Sequence, residues 1–315
     1  MRKFIVEIFW FLLILLIPAI IGIFLPCTPR ASKSLLQSSF QKDSLMENIK
    51  SDRIIFIGGS NLSFGLNSQM IKDSLKLNPI NTGIHAGIGL FYMMRNALNY
   101  IKKGDIVILV PEYQHFYSDF AYGEEGEMLT RIIFDTDISK IRLLEQRQLM
   151  YVIKMLPKYT FSKYNPIEYF NLSYDVIYSV EAFNEYGDAN KHWEMEKIPY
   201  VPYGDLGSTK FNISVLEKIK KFQIKIKEKE AELFITYPGY QDSSFFNVKE
   251  QINKIERYLK QYNFNIIASP ERYVIPTSMT FDTPYHLTKT GADYRTKMFI
   301  EDFKRSYSQP AFSKK

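Results

Sequence analysis

Cysteine is almost missing from this chain: there is one, Cys27, in 315 residues. A single thiol excludes an internal disulfide and a cysteine-based metal site. Proline, not a small residue, precedes it in Leu25-Pro26-Cys27, which argues against a lipoprotein attachment signal. Histidine is scarce too, with four residues at 85, 115, 192 and 286. There is no zinc-finger spacing, no helix-turn-helix signature and no internal repeat. The net charge of +6 is spread along the chain, so it is a general bias and not a nucleic-acid footprint. No cofactor-binding pattern is present.

Hydrophobic residues make up 46% and charged residues 23% of the chain, an ordinary globular balance that excludes a mainly disordered protein. Charge is absent from Ile8 to Leu25, eighteen residues long, about what a membrane-crossing helix needs. Arg2 and Lys3 precede it, which keeps the N-terminus cytoplasmic by the positive-inside rule. With no Ala-x-Ala cleavage site after it, the run is expected to stay as a signal anchor over residues 1–27. The expectation is a single-pass protein of the bacterial cytoplasmic membrane, attached through residues 8–25, with its folded part outside the cytoplasm. Residues 28–52 are expected as a stalk with a short helix, and the domain as residues 53–310.

Within that domain, Ile54–Ile57 is a short apolar run ended by glycines, and Asp105–Pro111 is apolar on both faces, as in a central parallel strand. Short strands are also expected near Asn78, at Glu232–Pro238 and at Phe264–Ser269. Helical spacing marks residues 67–77, 90–101, 212–230, 248–262 and 287–303. This alternation predicts an α/β fold: a flavodoxin-like three-layer sandwich with a parallel five-stranded sheet. Residues 114–210 break the rhythm and are expected as an aromatic-rich insert. The lysines between 218 and 229 read as the solvated face of a helix.

Two stretches carry candidate chemistry. Gly58-Gly59-Ser60 ends the first strand, where open α/β sheets place their sites. Phe281-Asp282-Thr-Pro-Tyr-His286 precedes the last helix, and an Asp and a His on one loop can meet through imidazole Nδ1, leaving Nε2 to take a serine proton. Around the third strand, Glu112 could bind a sugar hydroxyl or pair with His85 or His115. These three lack the helical i, i+4 spacing of a zinc site, and no metal is expected. Asn184–Asp188 with His192 reads equally as cleft lining or as a capping turn.

The order of these blocks resembles the SGNH (GDSL-like) hydrolases over roughly residues 53–113 and 230–305. Asp282-Thr-Pro-Tyr-His286-Leu, followed by Gly291 and Arg295-Thr296, is most similar to DltD-like and alginate-acetylation-like proteins of bacterial polysaccharide modification. The resemblance implies Ser60 as nucleophile, His286 as base and Asp282 as its orienting carboxylate. Oxyanion donors would be the N–H groups of Ser60 and Gly87, with Gly83 as fallback, and Glu112, Tyr113 and His85 would contact substrate. The implied activity is that of a serine esterase or O-acyltransferase on acyl esters, acetyl foremost, of a cell-surface polysaccharide, through an acyl-serine. The alternative is a catalytically degenerate scaffold that binds a glycan or a membrane acyltransferase. Gly59 stands where the family has Asp, and two further departures favour the alternative: Glu112 falls where the family brings Asn, and Asp-x-x-x-His is one residue longer than its Asp-x-x-His.

Overall fold

The computed structural model describes residues 1–171, 173–206 and 210–307. Its centre is a parallel sheet of four strands in the order β2-β1-β3-β4: β1 (Arg53–Gly58), β2 (Asn78–Asn81), β3 (Ile106–Val110) and β4 (Glu232–Ile235). Every residue of β1 and β3 is buried, because parallel strands are covered on both faces and so read as unbroken apolar runs. Phe56, Ile108 and Phe234 are in register across β1, β3 and β4. Phe299 and Phe303 of α12 (Lys289–Tyr307) pack edge-on against Phe56 and Phe234 of that row. Helices α5 (Leu90–Leu98) and α9 (Ile213–Glu228) pack on β1 and β4. Val215, Leu216, Ile219, Phe222 and Ile226 of α9 are buried, while Ile213, Ile224 and most of its lysines are exposed.

The expected fifth strand is reduced to one parallel bridge, Ile235 to Ile266. Ile267 N–H donates to the Ile235 carbonyl and Ile235 N–H donates to the Asn265 carbonyl, both at 2.8 Å. Ala268 adopts φ 60° and Pro270 opens a helical turn, so the chain leaves the extended conformation before a ladder can form. A separate two-stranded parallel sheet pairs β5 (Tyr240–Gln241) with β6 (Val274–Ile275).

Residues 28–52, read from sequence as a stalk with a short helix, do contain that helix, α2 (Ser38–Asn48). It is packed onto the domain and does not stand away from it. Leu35, Leu36 and Met46 are buried, and the buried Lys42 ammonium donates to the carbonyls of Asn81 and Gly187 at 3.0 and 2.7 Å. Arg53, buried at the start of β1, pairs with Asp105 and donates to the Met46, Ile49 and Tyr100 carbonyls. That one guanidinium ties α2 to the sheet.

Between β3 and α9 lies the insert, with α6 (Met128–Phe134), α7 (Gln146–Ser162) and α8 (Ile167–Phe170). The N-terminal helix α1 (Arg2–Phe24) is long and apolar enough to cross a membrane. It packs against α7, with Gly22 buried against Thr160. The short α3 (Ser60–Ser63), α4 (Ser68–Leu75), α10 (Asp242–Asn247) and α11 (Lys249–Gln261) complete the helices used below.

Candidate active site

Ser60 is the first residue of α3, entered through two glycines at the C-terminal end of β1. Neither glycine has room for a side chain. A β-carbon at position 58 would meet the Val110 carbonyl, and one at 59 would lie 2.7 Å from Glu112 Oε1 and 2.8 Å from Ala86 Cα. Asn61 stitches this turn to β3: its amide accepts from Gly59 N–H at 3.1 Å and donates to the Val110 carbonyl at 3.2 Å. Close backbone approach is the reason for glycine here.

Glu112 follows β3 and turns its carboxylate onto the serine turn. Oε1 accepts from the Ser60 hydroxyl at 3.3 Å and from Asn61 N–H at 3.1 Å. The side chain is buried, and loss of water pushes its carboxyl up to about 7 against the pull of those two hydrogen bonds. His115 fixes the loop: Nδ1 accepts from Glu112 N–H at 3.0 Å, which leaves Nε2 to donate to the Ala86 carbonyl at 3.3 Å. Burial lowers His115 to about 4, consistent with a neutral ring used as a clip between two loops.

His286 sits in a tight hairpin closed by the Thr280–Leu287 bridge and by Phe281 N–H donating to the His286 carbonyl at 2.8 Å. The hairpin folds the longer Asp-x-x-x-His spacing back on itself, so His286 Nδ1 and Asp282 Oδ1 are 2.8 Å apart. Burial alone would raise the Asp282 carboxyl, but the hydrogen bonds and charge of His286 and Tyr178 outweigh it and hold it below the ordinary value. An ionised Asp282 is an acceptor only, which places the imidazole proton on Nδ1 and frees Nε2.

Tyr178, from the insert, donates its hydroxyl to Asp282 Oδ2 and stands 3.1 Å from His286 Nδ1. No sequence motif marks it; it is one tyrosine in an aromatic-rich insert. Phe64 was missed as well. Its ring stacks on His286 with centroids 4.2 Å apart, and its carbonyl accepts from Leu287 N–H at 3.2 Å. Phe64 directly follows α3, so the serine helix and the histidine loop are held together by one residue.

Ser60 and His286 line one cleft of about 710 Å³, shared with His85, Gly87, Glu112, Tyr178 and Tyr285 among others. The Ser60 hydroxyl is engaged by Glu112; no bond between Ser60 and His286 is found among the described residues. Of the expected oxyanion donors, Gly87 N–H is taken by His85 Nδ1 at 3.0 Å and Gly83 N–H by Asn81 Oδ1 at 3.0 Å. Ser60 N–H has no acceptor among the described residues. His85 lines the cleft as a neutral ring, lowered to about 4 by burial and by the His286 charge. Its Nδ1 accepts from Gly87, so its Nε2 carries the proton.

Tyr113 is not a cleft residue. It is buried beneath the cleft, with its ring edge-on to Tyr240 at 5.2 Å and its N–H donating to the Tyr285 hydroxyl at 3.2 Å. Tyr285 lines the wall in its place. Asp188 and His192 are structural. Asp188 accepts from Ser68 and Asn81, and His192 Nε2 donates to the Leu287 carbonyl at 2.8 Å. Among the described residues no group of three His, Cys, Asp or Glu side chains is placed to hold a metal ion.

No protein-family model matches this sequence, and no curated protein is detectably similar to it.

Proposed function

We propose that the chain is an SGNH-type serine esterase or O-acyltransferase, anchored in a bacterial membrane by α1 and acting outside the cytoplasm on acyl esters of a surface polysaccharide. The observation that carries this reading is the Asp282–His286 pair, whose imidazole, with its free Nε2, lines the same cleft as Ser60 at the C-terminal edge of a parallel sheet. His286 Nε2 takes the Ser60 proton as Oγ bonds to the acyl carbon; the imidazolium then protonates the departing sugar oxygen. Water or a second sugar hydroxyl attacks the acyl-serine in the reverse sense. Ser60 N–H is the donor free to meet the oxyanion. Hydrolase and transferase differ only in the acceptor.

A scaffold reading is favoured by one observation: the Ser60 hydroxyl is bonded to Glu112 and not to His286. In the enzyme reading, Ser60 turns from Glu112 to His286 when an ester enters the cleft. The two readings separate on one test. Full-length protein is incubated with an aryl acetate and quenched in acid, and the Ser60 peptide is weighed by mass spectrometry. An acetyl adduct on Ser60, absent in His286→Ala, supports the enzyme. A folded protein that never acquires the adduct supports the scaffold.

A further inference from the structure

The insert carries an apolar strip that the α/β core does not use. Met150, Ile153 and Phe161 follow the helical spacing of α7 and are exposed, as is Tyr164 in the turn after it, while Gln148, Val152 and Tyr159 on the other side of the helix are buried. The strip continues through α8, where Ile167 and Tyr169 are exposed and Phe170 is 87% exposed. Its far end lies against α1. The Tyr164 hydroxyl donates to the Pro18 carbonyl at 2.7 Å, the Lys163 ammonium donates to the Leu25 carbonyl at 2.7 Å, and Thr28 donates to Glu168 at 2.9 Å.

These contacts set a depth. At 1.5 Å per residue, Pro18 lies about 10 Å along α1 from Leu25. If residues 8–25 cross the hydrocarbon, the Tyr164 hydroxyl reaches well inside the edge of the bilayer. Phe161, whose ring centroid lies 6.4 Å from that of Tyr164, reaches a similar depth, while Glu168, bonded to Thr28, holds the neighbouring Ile167 and Phe170 at the level of the bilayer edge. Interfacial helices bury their apolar faces about 5–10 Å deep, with tyrosines at the headgroup level.

We propose that residues 161–170 form a second membrane element, a wedge that enters one leaflet beside α1 with the lipid bilayer itself as its partner. The inference rests on α1 being the membrane anchor. The wedge removes the hinge freedom that a single anchor leaves, and it fixes the cleft near the lipid. Phe170 and Tyr178 are eight residues apart, which allows at most about 28 Å of chain between bilayer and site. A cleft held so close suits a glycan tethered to the membrane or emerging from it.

The test uses the full chain with Cys27→Ser, reconstituted in phosphatidylcholine–phosphatidylglycerol vesicles. Single cysteines for an environment-sensitive fluorophore are placed by Leu12→Cys, Ile167→Cys, Phe170→Cys and, as the aqueous control on α9, Lys221→Cys. The expected result is quenching by spin-labelled lipid, and shielding from iodide, at positions 12, 167 and 170, with the reverse at 221. Quenching at 12 with positions 167 and 170 behaving like 221 overturns the wedge and leaves the anchor standing; the strip would then be a face for a protein partner. A probe at 12 that behaves like 221 overturns the anchor and the wedge together.

Discussion

Glu112 Oε1 occupies the space beside position 59: a β-carbon there would lie 2.7 Å from it. The glycine at 59 and the glutamate at 112 are therefore one feature. Where the resembled family brings a carboxylate from the residue before the serine, this chain brings one from the end of β3. Gly59→Ala must push aside Glu112 and the Ala86 backbone. Overpacking of this kind costs about 1–3 kcal/mol, so thermal unfolding should show a clearly lowered midpoint. An unchanged midpoint would mean that the two positions are not so tightly coupled.

The Glu112 carboxyl makes a signed prediction in pH. Its folded value is raised to about 7 from 4.5, so between those values the folded state holds the proton more tightly than the unfolded chain. Its contribution is fully present below about pH 4.5 and is lost as pH rises toward 7, by roughly 3 kcal/mol in all. His85, His115 and His192, each lowered to about 4, act in the opposite sense between about 4 and 6.5, which makes the raw profile a sum. The difference between wild type and Glu112→Gln isolates the carboxyl. Denaturant titrations should show the wild type losing stability relative to the variant across that window, then running parallel to it above about pH 7.

The Tyr178 hydroxyl donates to Asp282, so in the proposed esterase it acts through that carboxylate as a positioning residue. Tyr178→Phe keeps the ring and removes one hydrogen bond to a carboxylate, a loss on the order of 1.5 kcal/mol, or about tenfold in rate. For the proposed esterase the prediction is a lower kcat for ester turnover with KM little changed, beside an unfolding midpoint lowered by the lost hydrogen bond. A fall in stability with normal kcat per folded molecule would reduce Tyr178 to a packing role.

The Arg53–Asp105 pair is both buried and shared with three carbonyls. Asp105→Ala leaves the guanidinium in the core without its counter-charge, which costs about 3–5 kcal/mol in comparable pairs. Chemical denaturation should register a loss of that order. A near-neutral result would show that the carbonyls alone satisfy Arg53.

The α/β alternation was legible because β1 and β3 are buried on both faces and therefore unbroken in the sequence. The fifth strand misled because an apolar run says nothing of the turn at Ala268 that ends its pairing. Ser60 on one loop and Asp282 with His286 on another could be found as motifs, and the structure brings Asp282 and His286 into contact despite their longer spacing. Tyr178 could not be found, since its role comes from how the insert folds back and not from its neighbours in sequence. Tyr113 was misjudged for the converse reason. Adjacency to Glu112 suggested the cleft, but successive residues leaving a strand point to different sides, and this one points into the core.

The most direct measurement is fluorophosphonate labelling of the full-length protein beside Ser60→Ala and His286→Ala. The account predicts a single label on Ser60 in the wild type, lost in both variants, because only a serine activated by His286 reacts. A wild type that is folded and unlabelled, or a His286→Ala variant that labels as well as the wild type, would contradict it.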